Sequence, residues 1–460
     1  MAEYRLECDS IGERRVPRGA YYGIQSMRGR ENFPISGRCV HPELIRATVE
    51  IKKAAALANK EAGALSAEIA DAMVSACEDI LEGRLSGECF IVDAVQGGAG
   101  TSLNMNANEV VANRAIELLG GEPGDYSIVH PNDHANCAQS TNDVVPSAGK
   151  IALIRLLRVA EGRLISLCDA LRRKAEEFSD IIKMGRTEMQ DAVPISFGQT
   201  FSAYASMIER DVLRFKAAAL SLSEVNMGGT AIGTGINAER AYIERIVPIL
   251  SEVTGLELKQ AADLVDSTQN LDCFAYVSGI VKTSAVSLSK LANDLRLMSS
   301  GPRTGFGEIN LPARQNGSSI MPGKVNPVVP EVINQIAFRI IGNDATVTMA
   351  AEAGQLELNA FEPIIFYSLF ESLDMLSAGL TVLTENCING ITVNRQSCED
   401  EVERSIGIVT AVCPYVGYAK AASVAKRALA ERRSVRDILI EEKLVSPEEL
   451  DRILDPHGMI

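Results

Sequence analysis

The chain contains no tryptophan, and aromatic residues make up only 5% of its 460 residues. Otherwise its composition, 46% hydrophobic and 23% charged, is close to that of ordinary soluble domains, which excludes a disordered chain. No apolar run approaches the ~20 residues that a membrane span needs. The opening MAEYRLECDSIGERR is charged from the start and lacks an apolar core of about 7–15 residues, so it does not read as a secretory signal. Basic residues are outnumbered, 45 Lys and Arg against 60 Asp and Glu, giving a net charge of -15. That balance works against wide contact with phosphate backbones or anionic lipid, so an anionic substrate would need a locally built positive pocket.

Metal and nucleotide signals are missing too. The ten cysteines (8, 39, 77, 89, 137, 168, 273, 387, 398 and 413) are scattered, with no CxxC and no pairing with the four histidines. They imply no structural metal and read as buried or free thiols in a reducing cytoplasm. The absence of GxGxxG and of a strand–helix rhythm disfavours a doubly wound nucleotide-binding sheet. There is no long linker and no internal repeat.

What is present is helical. At about 100–200 residues per domain the length suggests two to four domains with ample core. From residue 142 onward Leu157, Ala160, Leu164, Leu167 and Leu171 recur at spacings of three and four, the stripe of a helix of many turns. Similar patterns cover about 195–225, 238–254, 270–299 and 327–388, the last with Gly342 and Pro363 as expected kinks. Long helices with short turns predict a mainly α fold with a central helix bundle that would take further helices from other subunits. Residues 1–140 read as shorter, turn-broken elements. The C-terminal stretch holds two capping boxes, SVRD from Ser434 and SPEE from Ser446 with Pro447 at the first helical position. The expected division is 1–141, 142–392 and 393–460.

Five segments concentrate small polar residues: GGAGTSLNMNANE (97–109), HPNDHANCAQSTND (130–143), GRTEMQDAVP (185–194), GPRTGFGEINLPARQ (301–315) and GSSIMPGKVNP (317–327). Ser, Thr and Asn offer neutral donors suited to carboxylate oxygens. Each segment also has a plain structural reading. Ser140, Thr141, Asn142 and Asp143 suit a helix cap, and Thr187 and Asp191 suit a turn and an N-cap with Pro194 in the first turn. His130 and His134 have the spacing of a metal pair, but Pro131 and the lack of an acidic third ligand speak against one. A lone GSS turn is more often a loop than a nucleophile.

Taken together, the segments resemble the aspartase/fumarase superfamily, homotetrameric lyases that eliminate a group from a succinyl compound and leave fumarate. The loop GSSIMPGKVNP carries the specific signature, and GTSLNMNANEVVANRA, HPNDHANCAQSTND and GRTEMQDAVP accompany it. The flanks are closer to aspartases than to class II fumarases: Thr141 where fumarases usually have a second Ser, YYGIQS near the start, and Glu362 before Pro363 where fumarases usually carry Lys. Position 188 is Glu, where fumarases use His and aspartases His or Gln. A carboxylate there would favour an ammonium and repel an anion.

The resemblance implies reversible elimination of ammonia from L-aspartate, without cofactor or metal, by a cytoplasmic homotetramer whose active sites are shared by three subunits. It implies Ser318 as general base on a mobile loop, with Gly317 and Gly323 letting that loop close and expose its amides. Thr187, Lys324 and Asn326 are expected at the α-carboxylate. Ser140, Thr141 and the amides of Ser319 and Ile320 are expected at the β-carboxylate, and Thr101, Asn142 and Glu188 at the amino group. His130, Asn132 and Asp133 match a second dicarboxylate site of some members. The rival readings are a class II fumarase, a lyase for another amine-bearing succinate, and a silent structural protein of the lens-crystallin kind, which would have a damaged loop.

Overall fold

The structure, a computed structural model, describes residues 3–85 and 87–459. A hairpin of β1 (Tyr4–Asp9) and β2 (Gly12–Pro17) opens the chain, followed by α1 (Ile24–Asn32), α2 (Pro42–Glu61), α3 (Ala67–Leu81), α4 (Thr101–Leu118) and α5 (Thr141–Glu177). A second hairpin, β3 (Ile182–Thr187) with β4 (Gln190–Ser196), leads into α6 (Phe197–Ser221). The short strands β5 (Glu224–Val225) and β6 (Lys259–Gln260) flank α7 (Arg240–Thr254), and α8 (Leu264–Gln269), α9 (Asp272–Met298) and β7 (Ile309–Asn310) follow. After the signature loop come α10 (Val328–Glu352), α11 (Glu362–Asn386) and β8 (Thr392–Val393). Five shorter helices end the chain: α12 (Arg395–Arg404), α13 (Val409–Val416), α14 (Tyr418–Glu431), α15 (Val435–Glu441) and α16 (Pro447–Ile453).

The chain divides into two compact units. One comprises the chain as far as Glu161 with Arg214–Thr283 and Arg339–Met375; the second comprises Gly162–Leu213, Ser284–Phe338 and the chain from Leu376 onward. In the first, α2, α3 and α4 pack around Val49, Ala56, Met73, Ala76, Val110 and Ile116. In the second, Ile182 and Met184 of β3 share a core with Val424, Ile438, Leu439 and Leu450 of the C-terminal helices.

The stripe expected on α5 is buried throughout, and the helix runs 37 residues. Pro146 sits inside it and cannot donate to the carbonyl four residues back. That carbonyl, on Asn142, instead accepts from Asn226 Nδ2 at 2.9 Å, so it is not left an orphan. Gly149 is needed because a Cβ there would collide with the ring of Phe366 on α11. At both C-terminal boxes the serine caps its helix: Asp437 N–H donates to Ser434 Oγ (3.0 Å) and Glu449 N–H to Ser446 Oγ (3.3 Å).

Three local expectations are corrected. The first 140 residues are not mainly turn-broken: α2, α3 and α4 span 20, 15 and 18 residues, because alanine-rich stretches such as KKAAALANK propagate a helix between the turns. The helix expected across 327–388 breaks at 353–361. There Asn359 Nδ2 caps the carbonyls of Ala350 (2.9 Å) and Ala351 (3.1 Å), Leu356 takes φ +53°, and Pro363 opens α11 instead of kinking it. Gly342 lies inside α10. Finally, the stretch Glu362–Gly390 is long and apolar enough, by length and composition, to cross a membrane, and 56% of its most apolar window is buried inside the protein, as in a core helix.

Candidate active site

Thr141 and Asn142 open α5 directly behind Ser140, and the turn is held by reciprocal capping. Asn142 N–H donates to Ser140 Oγ (3.2 Å), while Ser140 N–H donates to Asp143 Oδ1 (2.9 Å). Asp143 is fully buried and also accepts from the N–H groups of Gly228 (3.3 Å) and Thr230 (3.0 Å). Burial pushes its carboxyl up to about 6 against those donors. Asn142 Nδ2 donates to Ala231 O at 2.7 Å. The capping reading of this cluster therefore holds, and the same geometry leaves hydroxyls at the positive end of a long helix, where an anion is favoured.

Thr101 begins α4 behind a left-handed Gly100 (φ +88°), whose close approach to Val145 of α5 leaves no room for a Cβ. Its Oγ1 donates to Gly98 O at 2.6 Å. Asn104, one turn on, reaches Thr141 Oγ1 at 3.3 Å. The first unit thus gathers Thr101, Ser140, Thr141 and Asn142 at two adjoining helix starts.

Thr187 and Glu188 belong to the second unit. The expected N-cap at Asp191 is corrected: the segment is the β3–β4 hairpin, with Glu188 (φ +53°) and Met189 (φ +66°) as its two turn residues. Asp191 lies on the strand and accepts from Ser405 Oγ at 2.7 Å. Glu188 is exposed at the tip. The hairpin is anchored by Glu308, which is fully buried and pairs with Lys183 Nζ (2.8 Å) and with Arg186. Arg186 also meets Glu401 (2.8 Å) and stacks 4.3 Å from the Phe306 ring centroid. Thr187 lines a cavity of about 410 Å³ with Lys183, Arg186, Tyr204, Lys290 and Asp294.

The signature loop is in the same unit and is closed on itself. Gly317 N–H donates to Lys324 O (2.8 Å) and Asn326 Nδ2 to Gly317 O (2.8 Å). A Cβ at Gly317 would press on Lys324 O, and Gly323 sits at φ +79°. Gly317 N–H is therefore committed to the loop's neck and is not offered outward. Inside, Ser318 Oγ accepts from Ile320 N–H (3.1 Å) and Met321 N–H (3.0 Å). Ser319 and Lys324 are exposed, and Ile320 is 83% exposed.

At HPND, His130 Nδ1 accepts from the N–H groups of Asn132 and Asp133, both at 3.2 Å, and His134 Nδ1 accepts from His130 N–H (2.9 Å). These nitrogens cap a turn and are not arranged as a metal pair; among the described residues no cluster of three or more His, Cys, Asp or Glu could hold a metal. Asn132 and Asp133 are exposed. The cavity between His41, Phe366 and Phe370, about 430 Å³, reaches Gly100 but is not lined by Thr101, Ser140, Thr141 or Asn142. Sequence reading missed Glu308, Asn104 and the buried Lys52; the one available signal was charge or amide set inside an apolar helix face.

Comparison with known proteins gives the family. The family model described as lyase matches residues 12–342, and the one described as fumarase C C-terminus matches 408–460. The chain belongs to this lyase family. It is 50% identical over 457 residues to the aspartate ammonia-lyase of Bacillus subtilis (strain 168), covering 99% of this chain and 96% of that protein. The aspartate ammonia-lyase of Helicobacter pylori (strain ATCC 700392 / 26695) is 49% identical, with 99% and 98% covered. A crystal structure of fumarate lyase:delta crystallin from Brucella melitensis, bound to cobalt, superposes with a TM-score of 0.97 at 50% identity, covering 99% of both chains. Recombinant class II fumarase from Schistosoma mansoni superposes at 0.95 with 34% identity and the same coverage. This lyase is therefore nearer in sequence to those ammonia-lyases than to that fumarase.

Proposed function

We propose that the protein is an aspartate ammonia-lyase that eliminates ammonia from L-aspartate to give fumarate, with Ser318 as general base. The observation that carries the reading is the pair of backbone N–H groups aimed at Ser318 Oγ. A serine hydroxyl is a poor base until its alkoxide is stabilised, and two preorganised donors supply that stabilisation without a neighbouring histidine.

In the reaction Ser318 alkoxide removes a proton from Cβ, and the electron pair moves into the β-carboxylate. The Cα–N bond then breaks and ammonia leaves. The second charge on the β-carboxylate develops at Ser140 and Thr141, where hydroxyl donors and the start of α5 favour it. Thr187, Lys324 and Asn326 hold the α-carboxylate, with the amide of Ser319 beside the β-carboxylate. Thr101, Asn142 and Glu188 face the amino group. Ile320 N–H is occupied by Ser318 Oγ in the arrangement seen, which gives it a role on the base.

The site is completed by other subunits, and the protein acts as a homotetramer. Exposed apolar side chains on long helices support that: Leu220 on α6 (72%), Phe338 and Met349 on α10 (64% and 72%). Its ten unpaired cysteines suit the cytoplasm.

The test is fumarate absorbance on adding the enzyme to L-aspartate, with L-malate in parallel. Fumarate from aspartate alone is expected; fumarate from malate alone would replace the reading with a fumarase. Glu188→Gln, which removes the charge facing the ammonium, is expected to raise KM for L-aspartate about fivefold with a smaller change in kcat. An unchanged KM would remove Glu188 from the amine side.

A further inference from the structure

The buried side of the Ser140–Asn142 turn carries a cation that the reaction as written does not use. Lys52, on α2, is fully buried. Its ammonium donates to Asn136 Oδ1 (3.1 Å) and Gln139 Oε1 (2.9 Å), both neutral amides. Asn136 Oδ1 also accepts from Asn104 Nδ2 (3.1 Å) and Asn108 Nδ2 (3.2 Å), and the same Asn104 Nδ2 reaches Thr141 Oγ1 (3.3 Å).

An ammonium can only donate, so Asn136 must turn its carbonyl oxygen toward Lys52 and its Nδ2 toward Gln139 O (3.2 Å). Asn104 must then present its amide nitrogen, and Thr141 Oγ1 must accept. The Thr141 hydroxyl proton is thereby left for a ligand. One buried charge decides, through two amides, that this subsite donates.

We propose that Lys52 is a positioning residue: through Asn136 and Asn104 it holds Thr141 as a hydrogen-bond donor to the substrate carboxylate and supplies the buried positive charge beneath that carboxylate. The inference rests on the aspartase reading, which puts the β-carboxylate at Ser140 and Thr141. It also supplies part of the local positive charge that a chain of net charge -15 needs around an anionic substrate.

Titration gives the readout. Burial pushes the Lys52 ammonium down to about 7, opposed by Asp143 of α5 and then by Cys77 of α3. Cys77 is itself pushed up to about 12 by burial, and α3 also carries Glu78, paired with Lys53 at 2.8 Å. From α4 and the 131–139 turn come the amides of Asn104, Asn108, Asn136 and Gln139. That turn also carries His134, whose pKa burial lowers, and α7 carries Tyr242, whose phenol burial keeps protonated. A base with a depressed pKa is largely neutral above that value; a dicarboxylate bound over Thr141 favours the charged form and draws in a proton.

The decisive experiment is calorimetric titration of the wild-type protein with fumarate at pH 8, ammonium-free, in two buffers of different ionisation enthalpy. Uptake of about half a proton or more per site is expected. Binding without uptake, together with unaltered fumarate affinity in a folded Lys52→Met, overturns the proposal. Lys52→Met is expected to abolish the uptake and to raise KM for L-aspartate about tenfold, with kcat changed less. A folded variant with unaltered KM also overturns it; if Lys52→Met fails to fold, Lys52→Gln is measured in its place, and an unaltered KM there overturns the proposal. Turnover is not needed for the titration, so an enzyme inactive on aspartate that still takes up the proton would sink the aspartase reading and leave Lys52 in place.

Discussion

Ser318→Ala is expected to lower kcat on L-aspartate about 10²–10⁴-fold, the range typical of losing a positioned general base, with KM little changed. The loop that holds Ser318 does not depend on its hydroxyl for closure, because the Gly317–Lys324 and Asn326–Gly317 bonds tie its neck. Fold and oligomeric state should therefore survive, so initial rates of fumarate release, with circular dichroism as control, report on chemistry. Retention of more than a tenth of wild-type kcat would place the base elsewhere.

The second large effect concerns stability. Glu308→Ala leaves the buried Lys183 without its counter-ion and the half-buried Arg186 with Glu401 alone, and breaking a buried pair from one side typically costs about 3–5 kcal/mol. Because the residue anchors the hairpin that carries Thr187 and Glu188, activity should fall with it. Thermal unfolding at matched protein concentration checks the stability arm. Glu308→Gln, which keeps a hydrogen-bond acceptor in place, should lose less. A drop in stability below 1 kcal/mol for the alanine variant would mean that water reaches the two cations and that the cluster does not hold the hairpin.

Much of the helical framework was readable before any coordinates. Leu157, Ala160, Leu164, Leu167 and Leu171 announce α5 because burial of one face imposes a period near 3.6 on the residues themselves. The boxes at Ser434 and Ser446 are legible because a cap satisfies backbone donors only three residues away. The break at 353–361 was missed because its cause, the Asn359 amide reaching back to Ala350 and Ala351, resembles any polar residue within an apolar run. Position 191 misled for a similar reason. Asp before a proline suits an N-cap, and only the pairing of β3 with β4 makes it a strand residue.

The candidate site shows the same boundary. Short-range chemistry within the chain determined that hydroxyls and amides cluster at GTS, STND and GSS, that Ser318 stands in a glycine-necked loop, and that the fold is helical. Each of those facts depends on neighbours within about one or two helical turns. Tertiary structure alone decided where the charges went: Glu308 meets Lys183, 125 residues away, and Lys52 meets Asn136, 84 residues away. A buried charge is tolerable only with partners that replace water, and those partners can come from any part of the chain, so no local pattern in the sequence can announce them.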